Sequence, residues 1–220
     1  MGFPEDFSRS ELNGVQQRRL QSLVSGLGEN RFWKTRLAEA GWDDLAQLGD
    51  RLADLSLLAE LPTCGKDELV IDQDQNQPYG SNLSEPLERY TRLHQTSGTT
   101  GRPLRWLDTS SAWSNILEAW SQIFRVAGVV DSDRFAFPFS FGPFIGFWAA
   151  FEGATAAGHL CLPGGGMSSA ARLRMIEENQ ATVVCCTPTY ALRLSEVAGE
   201  DGIDLPGGPV RLLIVAGEPG

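Results

Sequence analysis

Between residues 90 and 106 the chain reads YTRLHQTSGTTGRPLRW. At its centre Ser97, Gly98, Thr99, Thr100 and Gly101 follow one another with almost no side-chain bulk. Such a run buries little apolar area, and Gly and Thr are poor helix formers, so neither a core nor a helix accounts for it. It offers hydroxyls and unhindered backbone amides that can converge on an anion, a triphosphate above all. The spacing is not that of a Walker A loop, because Gly101 is followed by Arg102-Pro103 instead of Lys and Ser or Thr. RYTRLHQ before it and LRWLD after it both read as strands, which makes the run the tip of a hairpin. Such a tip can close over a nucleotide and lift away. An ordinary Gly/Thr-rich surface turn has the same composition, so from these residues alone both readings stand.

The other chemistry-bearing side chains read as structural. His94 falls within the first strand, and His159 at the start of a later one. Gly164, Gly165 and Gly166 with Ser168 and Ser169 fit an anion-binding helix start or a plain strand-to-helix turn equally well. Cys64, Cys161, Cys185 and Cys186 include no C-x-x-C pair, and the last two lie inside the apolar run TVVCC, as buried strand thiols of a reducing compartment would. With two histidines and scattered cysteines, no metal site is expected.

The elements that must position the loop fall into two parts. Residues 10–27 and 29–40 carry helical stripes, including Leu12, Val15, Leu20, Leu23, Val24 and Leu27, then Phe32, Trp33 and Leu37. Short helical pieces are expected over 43–71 around the break at Leu61-Pro62. The organisation expected is a helical segment over 1–71, an exposed loop over 72–88 and an α/β core over 89–220. In the core, an amphipathic helix over 109–127 precedes strands RFAFPF, HLCLP, TVVCC and VRLLIV, the last read as covered on both faces. Between them lie helices near 145–157, from Ser168 to about Asn179, and one opened by Thr187 as cap with Pro188 at its first position. This alternation predicts an α/β fold with a largely parallel sheet, and ligands belong at the carboxyl ends of its strands.

Composition narrows the partners. A formal net charge of −10 argues against nucleic acid, whose backbone needs clustered Lys and Arg. The uncharged run from Phe135 to Phe151 covers 17 residues but contains Pro138, Pro143, Gly142 and Gly146, short of the about 20 cleaner residues of a membrane span. The acidic, proline-broken N-terminus is no signal peptide. A cytoplasmic protein is expected.

The string TSGTTGRP closely resembles the phosphate-binding signature of adenylate-forming enzymes, S/T-S-G-T-T-G-x-P. Four further stretches resemble the phenylacetate–CoA ligase-like branch in the same order. LADLSLLAELPTCGKDELV is similar to its L-P-x-T-x-K-x-x-L approach, and PFSFGPFIG (138–146) to its AYGYGLFTG. TPTY (187–190) resembles its TPSY, and AGEPG (216–220) its GAEP.

The resemblance implies a two-step ligase. A carboxylate attacks the α-phosphate of ATP to give an acyl adenylate and pyrophosphate, and coenzyme A then displaces AMP. It assigns the β- and γ-phosphates to Ser97, Gly98, Thr99, Thr100 and Gly101. Arg102 stands where lysine is common, keeping the charge on a planar fork. Phe139, Phe141 and Phe144 fall on the two tyrosines and the phenylalanine beside the acyl pocket, with Gly142 allowing close backbone approach. Both motif tyrosines are phenylalanine here, which points to an aromatic or otherwise apolar acid. Gly217 and Glu218 fall on residues bordering the nucleoside, and Gly220 replaces a tryptophan.

The resemblance also implies a further half, with most Mg²⁺ ligands, the ribose-binding aspartate and a small domain carrying the catalytic lysine. Neither Lys34 nor Lys66, both in the helical region, is that lysine, so no catalytic residue is assigned within these 220 residues. The expectation is an N-terminal portion, inactive alone and prone to aggregate or to form a homo-oligomer through a bare edge or face of VRLLIV. Two alternatives share the loop: an adenylating enzyme with an amine or carrier-protein acceptor, and a non-catalytic module that binds a nucleotide or a partner.

In the full-length protein, Thr99→Ala combined with Thr100→Ala is expected to cut carboxylate-dependent ATP–pyrophosphate exchange about tenfold or more. Unfolding free energy should change by no more than about 0.5 kcal/mol, as for other exposed loop substitutions. Exchange at an unaltered rate would remove the phosphate role.

Overall fold

The computed structural model describes residues 8–96, 102–143 and 145–218. Ser97, Gly98, Thr99, Thr100, Gly101, Phe144 and Gly220, all named above, lie outside the described residues. Two compact units partition the chain, residues 1–110 and 111–220.

The first unit opens with α1 (Arg9–Ser25), started by a reciprocal capping box in which Ser8 and Glu11 satisfy each other's backbone amides. Asn30 caps α2 (Arg31–Glu39) and Asp44 caps α3 (Leu45–Arg51) through side-chain oxygens. Val24, Leu37, Leu48, Leu52 and Leu57 close a small core between these helices. A 3-10 turn, Leu55–Glu60, ends at Leu61, whose extended backbone is the conformation a following proline imposes.

Residues 72–88, expected as one exposed loop, are partly ordered by helix and side-chain contacts. They begin inside α4 (Lys66–Gln75), where the buried carboxylate of Asp72 accepts from Ser81 N (2.7 Å), Ser81 Oγ (2.6 Å) and Asn76 Nδ2 (2.9 Å). A buried carboxylate needs such donors, and here they fold the following residues back onto the helix. β1 (Tyr90–Gln95) and β2 (Arg105–Thr109) pair antiparallel, so the hairpin expected around the loop forms. At its open end Thr96 N donates to Leu104 O and Leu104 N to Thr96 Oγ1, both at 3.0 Å. Gln73 adds a two-way amide pair to the backbone of Arg105, at 2.6 and 3.0 Å. His94 in β1 lies 3.2 Å from Asp108 in β2, a cross-strand pair.

The second unit follows α5 (Ser110–Val126) with β3 (Arg134–Phe137), α6 (Trp148–Ala156), β4 (Leu160–Pro163), α7 (Ser169–Glu178), β5 (Val183–Cys186), α8 (Pro188–Asp201) and β6 (Leu212–Val215). The four strands form a parallel sheet in the order β4-β3-β5-β6, as the alternation predicted. Phe135, Phe137, Val183 and Cys185 pack with Phe124 of α5 and with Ala150 and Ala154 of α6. Ala136, Val184 and Cys186 point the other way and meet Ile176 of α7. Period-2 alternation with both faces covered is why RFAF and VVCC are apolar at nearly every position.

β6 has the composition of a strand covered on both faces but is covered on one, in line with the bare edge expected of VRLLIV. Leu212 and Ile214 join the first face, but Leu213 and Val215 are 53% and 47% exposed. β6 borders the described sheet, and the helices on its second face pack over β3 and β5.

One buried carboxylate ties the amino ends of three strands together. Asp133, just before β3, accepts through Oδ1 from Thr182 Oγ1 (2.7 Å), beside β5, and from Arg211 Nε (2.9 Å), beside β6. Its Oδ2 accepts from Val130 N (2.8 Å) and from Arg211 Nη2. His159, before β4, brings Nδ1 to 3.2 Å from the Asp133 carbonyl. Burial raises the Asp133 pKa, but hydrogen bonds from Arg211, Val130 and Thr182 outweigh it and hold the group at about 2.

A folded pKa below the unfolded value of about 3.9 contributes stability at neutral pH. That contribution is lost as pH falls through the window from about 4 to about 2. Asp133→Asn is expected to flatten this acid limb of the unfolding profile. Asp133→Ala should cost about 2–3 kcal/mol in urea unfolding, below the range for a fully buried pair because Arg211 stays partly in water. An acid limb identical in wild type and Asp133→Asn would refute the role.

Candidate functional site

At the carboxyl ends of β3, β5 and β6, opposite the Asp133 clamp, the second unit encloses a cavity of about 750 Å³. Trp120 of α5 and Phe139, Ile145 and Phe147 from the β3–α6 connection supply apolar wall. Ser140, Arg172, Thr187 and Tyr190 bring the polar groups, and Ala216 and Gly217 follow β6. The cavity thus combines an aromatic surface with a few directed polar groups, the usual make-up of a small-molecule site.

The wall is an extension of the core. Ring centroids step from Phe135 to Phe137 at 6.0 Å, on to Phe139 at 6.3 Å and to Phe147 at 5.3 Å. Phe141 does not line the cavity; it packs behind Phe139 at 4.7 Å and against Trp148 at 4.4 Å. The Gly142 carbonyl accepts the Trp148 indole N–H at 2.9 Å, which pins the aromatic loop to the start of α6. Of the aromatic candidates, therefore, Phe139 meets the cavity and Phe141 and Gly142 support it.

The polar groups are also placed by local rules. Thr187 caps α8 by accepting from Tyr190 N at 3.3 Å, with Pro188 at the first helical position, as expected. Tyr190 Oη receives Arg172 Nη1 at 2.7 Å and lies 3.0 Å from Ser169 Oγ. Arg172 Nε donates to Gly164 O at 2.8 Å. Gly217 has φ +92°, a conformation that favours glycine. Glu218 accepts from both the amide and the hydroxyl of Thr189, which keeps its carboxyl below the usual carboxylate range. Burial, and then the charge of Glu218, push the Cys186 thiol up to about 11, so this cavity-lining sulfur is no thiolate nucleophile near neutral pH.

In the first unit, Arg102 pairs with Asp74 on an exposed surface. Such an exposed pair contributes little to stability. Among the described residues, no group of three or more His, Cys, Asp or Glu side chains is placed to hold a metal ion. Among the same residues no helix is long and apolar enough to cross a membrane.

Sequence reasoning did not single out Trp120, Ser140, Arg172 or Tyr190 as site residues. Tyr190 had a signal in the TPTY motif. Trp120 and Arg172 had none, because they reach the cavity from the sides of helices.

No protein-family model matches the chain. It is 32% identical over 221 residues to a phenylacetate-coenzyme A ligase of Pseudomonas putida, across 98% of this chain and 47% of the relative. It is 28% identical over 222 residues to the Escherichia coli K12 protein of the same name, again covering 98% of this chain and 47% of the relative. Among solved structures it resembles 2-hydroxyisobutyryl-CoA ligase in complex with 2-HIB-AMP and CoA in the thioesterification state. The TM-score is 0.88 at 26% identity, over 97% of this chain and 45% of that one. The resemblance noted in the motifs thus extends along almost the whole chain, and the fold is that of the corresponding part of adenylate-forming CoA ligases. The chain spans about half the length of the curated relatives it matches.

Gly164 offers a test of how the site is held together. A Cβ there would lie 3.0 Å from Pro138 Cα and 3.2 Å from Phe137 O, so backbone would have to move. Gly164→Ala is expected to cost about 1–2 kcal/mol in chemical unfolding by overpacking. It should also displace the carbonyl that holds Arg172. A variant as stable as the parent would show that the connection after β4 is looser than this contact implies.

Proposed function

We propose that this relative of the phenylacetate–CoA ligases supplies the acid- and nucleotide-binding part of an AMP-forming acid–CoA ligase. The observation that carries the reading is the aromatic-walled cavity at the carboxyl ends of a parallel sheet, with Thr187, Tyr190 and Gly217 in its lining. The names of the relatives support acid activation with CoA as acceptor.

In this reading Phe139, Phe147, Trp120 and Ile145 hold the body of the acid, and Phe141 and Gly142 keep that wall in place. Gly217 and Glu218 border the nucleoside, Glu218 being held by Thr189. Ser97, Gly98, Thr99, Thr100 and Gly101 cradle the β- and γ-phosphates, and Arg102 leaves Asp74 to add positive charge. The carboxylate then attacks the α-phosphate; the bond to pyrophosphate breaks and an acyl adenylate forms. The thiolate of CoA attacks the acyl carbon and AMP leaves. Positioning and charge stabilisation dominate such transfers, so a preformed wall that fixes the acid is itself a catalytic contribution. The described residues provide no carboxylate cluster for Mg²⁺, and no step is assigned to it.

The wall favours an aromatic or otherwise apolar acid, since polar groups set against it would lose their hydrogen bonds. With the full-length protein, phenylacetate or benzoate is expected to exceed acetate and glycine about tenfold or more in kcat/KM for ATP–pyrophosphate exchange. Phe139→Ala should raise KM for the aromatic acid about tenfold. Acetate or glycine as the best substrate would overturn the assignment of the wall.

A further inference from the structure

The cavity is lined by a cation, Arg172, that no described carboxylate neutralises. Arg172 lies one turn into α7 and is half-buried. Its hydrogen bonds run to the Gly164 carbonyl and the Tyr190 hydroxyl, and the guanidinium carbon lies 5.2 Å from the Tyr190 ring centroid. Both bonded partners are neutral, and among the described residues no carboxylate is within ion-pair distance of it. A guanidinium has five N–H donors. One on Nη1 and both on Nη2 therefore remain for an acceptor, on a fork whose orientation Gly164 and Tyr190 already hold.

That charge shares its cavity with Trp120, Phe139, Ile145 and Phe147. A bare hydrocarbon acid filling the space would strip water from the guanidinium and give nothing back. An acid whose body carries a second oxygen acceptor would replace the lost water with charge-assisted hydrogen bonds, two in parallel for a carboxylate. The reacting carboxylate does not serve this purpose, because it must remain free to meet the α-phosphate.

Building on the acid-activation reading, we infer that Arg172 is a specificity-determining residue that reads a second oxygen acceptor on the substrate acid. The preferred class is an aromatic or apolar acid bearing a carboxylate or hydroxyl substituent in addition to the carboxylate that reacts.

The test compares phenylacetate with the ring isomers of carboxy- and hydroxyphenylacetate in ATP–pyrophosphate exchange by the full-length protein. It uses wild type, Arg172→Gln and Arg172→Lys, each checked for folding by its melting curve. The best substituted acid should exceed phenylacetate about tenfold or more in wild type. Arg172→Gln should abolish that advantage, lowering kcat/KM for the best substituted acid about tenfold more than it lowers that for phenylacetate. Arg172→Lys, which keeps the charge but not the fork, should retain part of it and carries the comparison if the Gln variant is unstable. Phenylacetate as the best acid, an advantage that survives in both variants, or an equal fall for every acid would overturn the inference; the last would mean that Arg172 serves the reacting carboxylate or a phosphate. Absence of exchange with any acid would instead remove the acid-activation reading, and this inference with it.

Discussion

A carboxylate taken out of water must be repaid in donors, and Asp133 collects its donors from segments far apart in the chain. Thr182 and Arg211 lie 49 and 78 residues away, yet both bond the same oxygen. Because each stands at the amino end of a different strand, satisfying one buried group sets those ends of β3, β5 and β6 side by side. Parallel strands have no tight turns to fix their register, so a shared anchor at one end has a large effect. The opposite ends, where the connecting loops emerge, inherit the alignment. The cavity is built there.

The second consequence concerns stiffness. Phe135 is fully buried between Phe124 and Phe137, and from it the rings continue without a gap to Phe139 and Phe147 at the cavity. A close-packed interior transmits constraint, so the wall that meets a ligand has little freedom left to lose when one binds. The polar groups are tied in the same manner. Arg172 bridges the connection after β4 to the first turn of α8, and Trp148 holds Gly142 in place.

The first unit follows a related logic on a smaller scale. Asp72 gathers Asn76 and Ser81, while Gln73, the next residue, completes the edge of β2 with its amide. One turn of α4 therefore orders both the segment after the helix and the strand that follows the Ser/Gly/Thr run. Thr96 closes the ladder between the two strands through its bonds to Leu104.

Much of this was legible in the residues alone. Helix starts at Ser168 and Thr187-Pro188, the hairpin strands, and a parallel sheet from alternating elements all follow from caps and periodicities, which are written into short stretches of chain. The motifs likewise pointed to the stretch from Pro138 to Gly146 and to Gly217 and Glu218. They could not say which aromatic ring meets the cavity. Phe139 and Phe141 share one motif and one chemistry, and only the packing of Trp148 and Phe151 around Phe141 separates a lining ring from a supporting one. VRLLIV has the composition of a doubly covered strand, but its exposure depends on which helices lie over it. Arg172 and Trp120 carry no local mark, and neither does the pairing of Asp133 with Arg211. Period and capping are properties of neighbours in sequence; the lining of a cavity and the neutralisation of a buried charge depend on elements that meet only after the sheet has formed.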